Sequence, residues 1–518
     1  MPTKQLDFPT KYETRPRARG IALDKSSVAW ILVFAALGFL VIYALSWVVL
    51  HFPRSGTLAA VALVLAIPVA VVSAASAIPH LFGKFGALWP KLHWWHALWV
   101  LLYISTLVFR IRNQEATQAE PLDAWALLRI IPEMIVAGWL AARLFRRGPA
   151  AVWLRYLFQG LPGALTMFAL VCVASTFWSV YPAWTLFKSL EYLLDIFVLA
   201  VALANIATLE AYETMFSWVW VIFGVELAWV WLQWPLWPSE SLEDGRLKGV
   251  LPATGWNAVG QSGALFAVLA LCKLLPIKGS GKPHRGWCIV LFAFGMASLL
   301  LSQTRNTIAA FAFAALLVLV ISRRTWLAIA LCVVGGLVAL LTPIGPMIVT
   351  YLQREQSADA MASLTGRADF WGFAWDQFLQ NPLTGLGAYA AGRFYIMTKL
   401  GIDTATLHSD WVELLVGVGL LGFVPFATAL LGTWWYLVRS VYDRSLALQE
   451  RQMALEAVSV LAVITVHSFF NDELTWHAPL LLMVVLGYAE MLRRRRKGKV
   501  RAPRAALPFV ARPVRPTA

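Results

Sequence analysis

Apolar residues run in long blocks along this chain, at about 28–50, 57–79, 94–109, 122–142, 162–179, 183–206, 213–235, 257–275, 287–304, 306–322, 325–347, 409–437, 453–470 and 474–491. Blocks of this kind approach the ~20 residues an α-helix needs to cross a bilayer. The pattern predicts an all-α, polytopic transmembrane helical bundle of about fourteen spans. The block at 122–142 is the most interrupted, by Arg129, Pro132 and Glu133. An even number of spans puts both termini on one side. The first block is too long for the core of a cleavable signal peptide, which predicts that it stays as a membrane helix.

One stretch breaks the rhythm, from Tyr351 to Gly422. Its segment TGRADFWGFAWDQFLQNP predicts a short amphipathic helix with Phe370, Phe373, Ala374 and Phe378 on one face, stopped at Asn381-Pro382. The glycine-rich LTGLGAYAAG follows, and is expected to act as a mobile centre of a lid. His408 then stands just ahead of a new apolar helix that begins HSDWVELLVGVGLLG.

Composition agrees with a membrane protein, with 59% hydrophobic and 14% charged residues among 518. Many of the 26 Trp sit near block ends, as interfacial anchors do. The net charge of +15 is placed in short loops and at both termini, ending in RRRRKGKVRAPR. That distribution is the positive-inside pattern rather than a nucleic-acid surface, and it makes the termini cytoplasmic. Cys172, Cys272, Cys288 and Cys332 lie far apart in apolar runs, with neither a disulfide framework nor a metal spacing.

Ten of the 43 Lys and Arg fall on the opposite side, where they should be scarce. Among them are Arg246 in SLEDGRLKGV, Arg305 in LSQTRNT, Arg367 at the start of the amphipathic helix, and Arg393 after the glycine-rich turn. His408 closes the same loop. Each has an ordinary reading as a snorkelling or solvated charge, or as a residue beside the helix cap. Together they suit an anion site with a base, because arginine binds phosphate oxygens bidentately and histidine titrates near neutrality. His467 and His477, flanking FFNDELTWHAP, are alternative bases; His51 has no useful company.

Ionisable residues also occur inside the blocks, where they are costly. Arg129 and Glu133 are spaced to neutralise each other, and Lys188, Glu191 and Asp195 share one helix face. They form either a structural ion-pair network or the lining of a polar cavity. The second option keeps open a different class of protein, a transporter or flippase of polysaccharide or lipid-linked sugar.

LSQTRNTIAAFAFAALLVL, TGRADFWGFAWDQFLQNPLTGLGAYAAGRF and HSDWVELLVGVGLLG, in that order, resemble the O-antigen ligase and polysaccharide polymerase superfamily. The resemblance covers roughly Arg246 to Gly422. It implies a GT-C-like fold and an inverting, metal-independent glycosyltransferase with no cofactor. Such an enzyme acts at the periplasmic face of the bacterial inner membrane on a glycan carried by undecaprenyl diphosphate. By resemblance, Arg246 and Arg305 hold the diphosphate, Arg367 and Arg393 join them, and His408 with Arg305 carries catalysis. The acceptor is a growing repeat-unit chain in exopolysaccharide or O-antigen polymerisation, the lipid A core in ligation, or a protein in O-glycosylation. The chain then divides into a basic cytoplasmic terminus (1–27), N-terminal transmembrane helices (28–237), a ligase-like core (238–437) with a periplasmic loop (351–407), C-terminal helices (438–491) and a basic cytoplasmic tail (492–518). Ser409 stands where the family more often has Asn, and fourteen helices exceed its common twelve.

Overall fold

The computed structural model describes residues 91–107, 124–145, 150–277, 285–353, 367–402, 406–476 and 478–498, with a few isolated positions besides. The predicted helices at 28–50 and 57–79, the terminal residues 1–27 and 499–518, His51 and His477 lie outside the described residues.

Within them the chain is helical almost throughout, in the order α1 (Trp94–Leu107), α2 (Ala124–Leu144), α3 (Ala150–Leu157), α4 (Gly160–Ala174), α5 (Pro182–Asn205), α6 (Leu209–Leu236), α7 (Trp256–Leu274), α8 (Arg285–Ser302), α9 (Arg305–Ile321), α10 (Thr325–Leu341), α11 (Ile344–Gln353), α12 (Arg367–Gln380), α13 (Asp410–Tyr442), α14 (Leu448–His467) and α15 (Leu480–Arg496). Every predicted block inside the described residues is occupied by helix. Among the described residues five helices are long and apolar enough to cross a membrane, or six with one bent pair counted as a single span. Helix α5 carries Lys188, Glu191 and Asp195, and α15 ends in four arginines, which lowers their apolarity. The protein is a multi-pass membrane protein with an all-α fold.

Three departures have local causes. The block 325–347 is two helices, α10 and α11, bent by 89°. Pro343 and Pro346 sit at the bend, and a proline supplies no backbone donor and clashes with the preceding turn. A two-stranded ribbon, β1 (Leu242–Glu243) paired with β2 (Arg246–Leu247), interrupts the helices. Its turn is Asp244-Gly245, both with positive φ, which is the signature of a tight hairpin turn. The third departure is inside α13, which breaks at Gly419 (φ 55°, ψ −158°).

That break is filled by the glycine-rich segment. The N–H groups of Leu386 and Gly387 donate to the carbonyls of Val416 and Gly417 at 2.9 and 2.8 Å, and those of Leu420 and Leu421 donate to Pro382 and Leu383 at 2.8 and 3.0 Å. These four bonds stand in for helical bonds that the break removes. A Cβ on Gly419 would lie 2.5 Å from the Leu383 backbone, and one on Gly385 would lie 2.5 Å from Gly417. These glycines permit close approach of two backbones. The segment expected to be the mobile centre of a lid is therefore stitched into a helix.

The core lies among α4, α5, α13, α14 and α15, whose inward residues are almost wholly buried. Helices α7 and α8 cross closely where Gly263 faces Gly295: a Cβ on either would come within 2.7 Å of the other's carbonyl oxygen. Small residues at a crossing let helices pack without a hydrophobic drive between them. Helix α12 lies on α13 with Phe370, Ala374 and Phe378 buried and Phe373 half-buried, the face read from sequence.

Candidate active site

The turn between α8 and α9 is the floor of the site. Gln303 adopts φ 49°, which lets the chain reverse within two residues. The hydroxyls of Ser302, Thr304 and Thr307 are hydrogen-bonded to one another beneath it, against Gly260 of α7. The β1–β2 hairpin lies on this turn: Gln303 donates to the Gly245 carbonyl at 3.1 Å, and Arg246 Nε donates to Ser302 O at 3.2 Å. Arg246 also stacks over the Trp256 ring at 4.0 Å. Arg246 and Arg305, nearly sixty residues apart in sequence, thus flank the same four-residue turn.

Arg367, the first residue of α12, donates to Phe470 O at 2.7 Å, which fixes α12 to the connection between α14 and α15. Burial weakens its hold on the proton, the Asp472 carboxylate opposes that effect, and Arg305 repels it. Those two charges are therefore its near neighbours. His408 is the next, because the Arg367 charge adds to burial in pushing the imidazole down to about 4. At neutral pH it is an uncharged imidazole with a lone pair to offer.

His408 itself has φ 53°, an uncommon conformation for a non-glycine residue, directly before the N-cap Ser409 of α13. Its Nδ1 lies 3.3 Å from Thr406 Oγ1. With the proton on Nδ1, directed at that oxygen, Nε2 is the basic nitrogen.

Asp472 was not singled out in the sequence. Burial raises its carboxyl to about 6, against the pull of the Thr406 hydroxyl, the Trp476 indole and Arg367. Its charge lies near Arg367 on one side and the histidine loop on the other. Asp410 supplies the other half of that junction. Its carboxylate accepts from the N–H groups of Glu473, Leu474 and Thr475 and from the Thr475 hydroxyl, at 2.5–3.2 Å. The acidic residue after His408-Ser409 is thus a clamp on the α14–α15 connection.

Of the competing histidines, His467 is committed on both ring nitrogens: Nδ1 to Glu473 and Nε2 to Asn471 at 2.7 Å. Asn471 in turn accepts from Asn257 at 3.1 Å. It braces the site. Arg393 is placed apart from the other arginines, 7% exposed on a π-helical turn (Ala391–Ile396), 5.0 Å from the Trp184 ring of α5. Arg246, Arg305, Arg367 and His408 share one end of the bundle; Arg393 lies against Trp184 of α5.

The charges of α5 are paired. Lys188 meets Glu191, which also receives Arg129 Nη2 at 3.3 Å, and Arg129 is 3.9 Å from Glu133. Asp195 accepts from Ala478 N at 2.7 Å. The ion-pair reading of the sequence is what the geometry contains. Among the described residues no group of three or more His, Cys, Asp or Glu is disposed to hold a metal ion.

No curated protein matches the chain. Residues 288–427 match the family model described as O-Antigen ligase. The matched span contains Arg305, Arg367, Arg393 and His408, whereas Arg246 and Asp472 reach the site from outside it. Residues 288–427 of this multi-pass membrane protein are therefore similar to the O-antigen ligase family, which supports the resemblance to the O-antigen ligase and polymerase superfamily.

Proposed function

We propose that the protein is an inverting, metal-independent glycosyltransferase. It moves a glycan from undecaprenyl diphosphate to a hydroxyl, at the periplasmic face of a bacterial inner membrane, in polymerisation of exopolysaccharide or O-antigen repeat units or in ligation to a lipid A core. The observation that carries the reading is the grouping of Arg305, Arg367 and the neutral His408 at one end of the bundle, with Arg246 on the adjoining turn.

The chemistry follows from these residues. His408 Nε2 takes the proton of the acceptor hydroxyl as its oxygen attacks the anomeric carbon from the face opposite the diphosphate. The carbon–oxygen bond to the diphosphate breaks, the electron pair leaves with it, and configuration inverts. The departing charge needs fixed cations, which Arg246, Arg305 and Arg367 supply already oriented by Ser302, Trp256 and Phe470. A positioned base contributes on the order of 10²–10⁴-fold. Arg393, held against α5, is left out of the diphosphate set.

Substitution His408→Ala is expected to stop transfer and to leave undecaprenyl-diphosphate-linked glycan accumulating on the periplasmic leaflet. A transporter would instead leave it on the cytoplasmic leaflet. Polymer assembly at the wild-type rate in His408→Ala refutes the proposal.

A further inference from the structure

The peptide directly before His408 is gripped from both sides. Leu407 N–H donates to Glu413 Oε1 at 2.8 Å, and Leu407 O accepts from the Trp371 indole Nε1 at 2.8 Å. Leu407 is wholly buried, in one apolar cluster with Phe370, Ala374, Ile396 and Val416. With its side chain and both backbone polar groups committed, the chain enters His408 in one orientation. His408 there takes φ 53°, a strained value that persists only where the surroundings impose it.

The two gripping residues connect the base to the rest of the site. Trp371 stands four residues after Arg367 in α12, so the two side chains leave the same face of one helix. Arg367 donates to Phe470 O at 2.7 Å, and the Trp371 ring lies 6.0 Å from the Phe470 ring. One turn of α12 thus sets the spacing between an arginine and the base. Glu413, in the first turn of α13, reaches back towards the loop that enters its own helix. Its carboxyl group is seated against Gly392 of the π-helical turn, where any Cβ would collide with it. The second oxygen, Oε2, is shut off from solvent with no hydrogen-bond partner among the described residues, a costly arrangement for a polar atom. The bond that Glu413 does make is the one that holds Leu407.

We infer that Trp371 and Glu413 are positioning residues for the transfer reaction, holding the Leu407 peptide between them so that the His408 imidazole stands at a fixed place relative to Arg367. This rests on the proposed reading of His408 as the base.

Kinetics of the full-length protein test it, with lipid-linked glycan extracted from the producing cells as the varied donor and the remaining lipid extract as acceptor. Rates are taken per folded enzyme. Trp371→Phe keeps a ring against Phe470 and removes the N–H. Glu413→Leu removes the acceptor oxygen, whereas Glu413→Gln keeps one for Leu407 N–H. Trp371→Phe and Glu413→Leu are each expected to lower kcat about tenfold or more, with KM for the donor unchanged, as a small misplacement of a reacting group does. Glu413→Gln should retain most of the rate. A wild-type kcat in Trp371→Phe overturns the inference, as does a Glu413→Gln variant no faster than Glu413→Leu. A raised donor KM at unchanged kcat overturns it too. If Glu413→Leu does not fold, Trp371→Phe alone decides. A wild-type rate in His408→Ala would overturn the reading of the base itself, which keeps the two failures distinct.

Discussion

His408 and Asp472 have their proton affinities moved in opposite directions by the same burial, and this separates their roles with pH. The imidazole is held down to about 4 and the carboxyl up to about 6. As pH falls through about 6, Asp472 gains a proton and its negative charge near Arg367 is lost, while His408 remains neutral. The acid limb of a transfer-rate profile is thus expected near 6 and to vanish in Asp472→Asn. A limb near 4 in the wild type would assign it to the imidazole instead. For stability the two partly cancel. A histidine depressed in the folded state loses stability as pH drops from its unfolded value of 6.5 towards 4. An aspartate raised in the folded state contributes stability below 3.8 that is lost as pH rises through about 6. Between 4 and 6 their slopes oppose, so thermal unfolding midpoints there are expected to shift little on their account.

At the same scale, the sequence showed the arginines and His408 because they sit where positive charge should be depleted. Asp472 offered no such signal: an acid in NDELTW on a connection of that length reads as a solvated loop charge. Its role depends on Arg367 arriving from a helix over a hundred residues upstream, which no local pattern records. The surroundings of Arg393 were not legible for the converse reason. It belongs to the same loop as His408, but the π-helical turn at Ala391–Ile396 directs it to Trp184.

The elements were legible wherever apolar length decided them, and misread where backbone chemistry did. The 325–347 block hid a bend at its prolines, and LTGLGAYAAG looked like a hinge because glycine serves hinges and close approaches alike. Space around Gly419 separates the two. Gly419→Ala would force a left-handed conformation on a residue with a Cβ and drive it into Leu383, at a cost of at least about 2 kcal/mol. A hinge glycine with open surroundings would tolerate alanine. The thermal midpoint of the purified variant distinguishes them: a fall of several degrees is expected, and an unchanged midpoint contradicts the strap.

For the whole molecule, we propose from the charge distribution that the Arg305 turn and the α12 loop lie outside and the arginines of α15 inside. At the α15 end, Arg495 and Arg496 pair with Glu450 and Asp443, and Arg494 stacks 3.6 Å from the Tyr156 ring, so the basic residues there also bind neighbouring helices together. Orientation is testable by impermeant thiol reagents after Cys332→Ala, since Cys332 is exposed. Glu243→Cys, on the hairpin beside Arg246, is expected to label in intact spheroplasts, and Gln449→Cys only after lysis. The reverse pattern would invert the topology and with it the side on which transfer occurs.

The strap across the α13 break has a kinetic meaning as well. Four amide hydrogens, two from each strand of that junction, are protected only while the loop and the helix stay together. They should exchange with deuterium at one common rate and open as a single cooperative unit, slower than the rest of the loop. The helix that His408 introduces and the loop that begins at Arg367 would then respond to an arriving glycan as one body, with the substrate meeting a preformed wall at that place rather than a closing door.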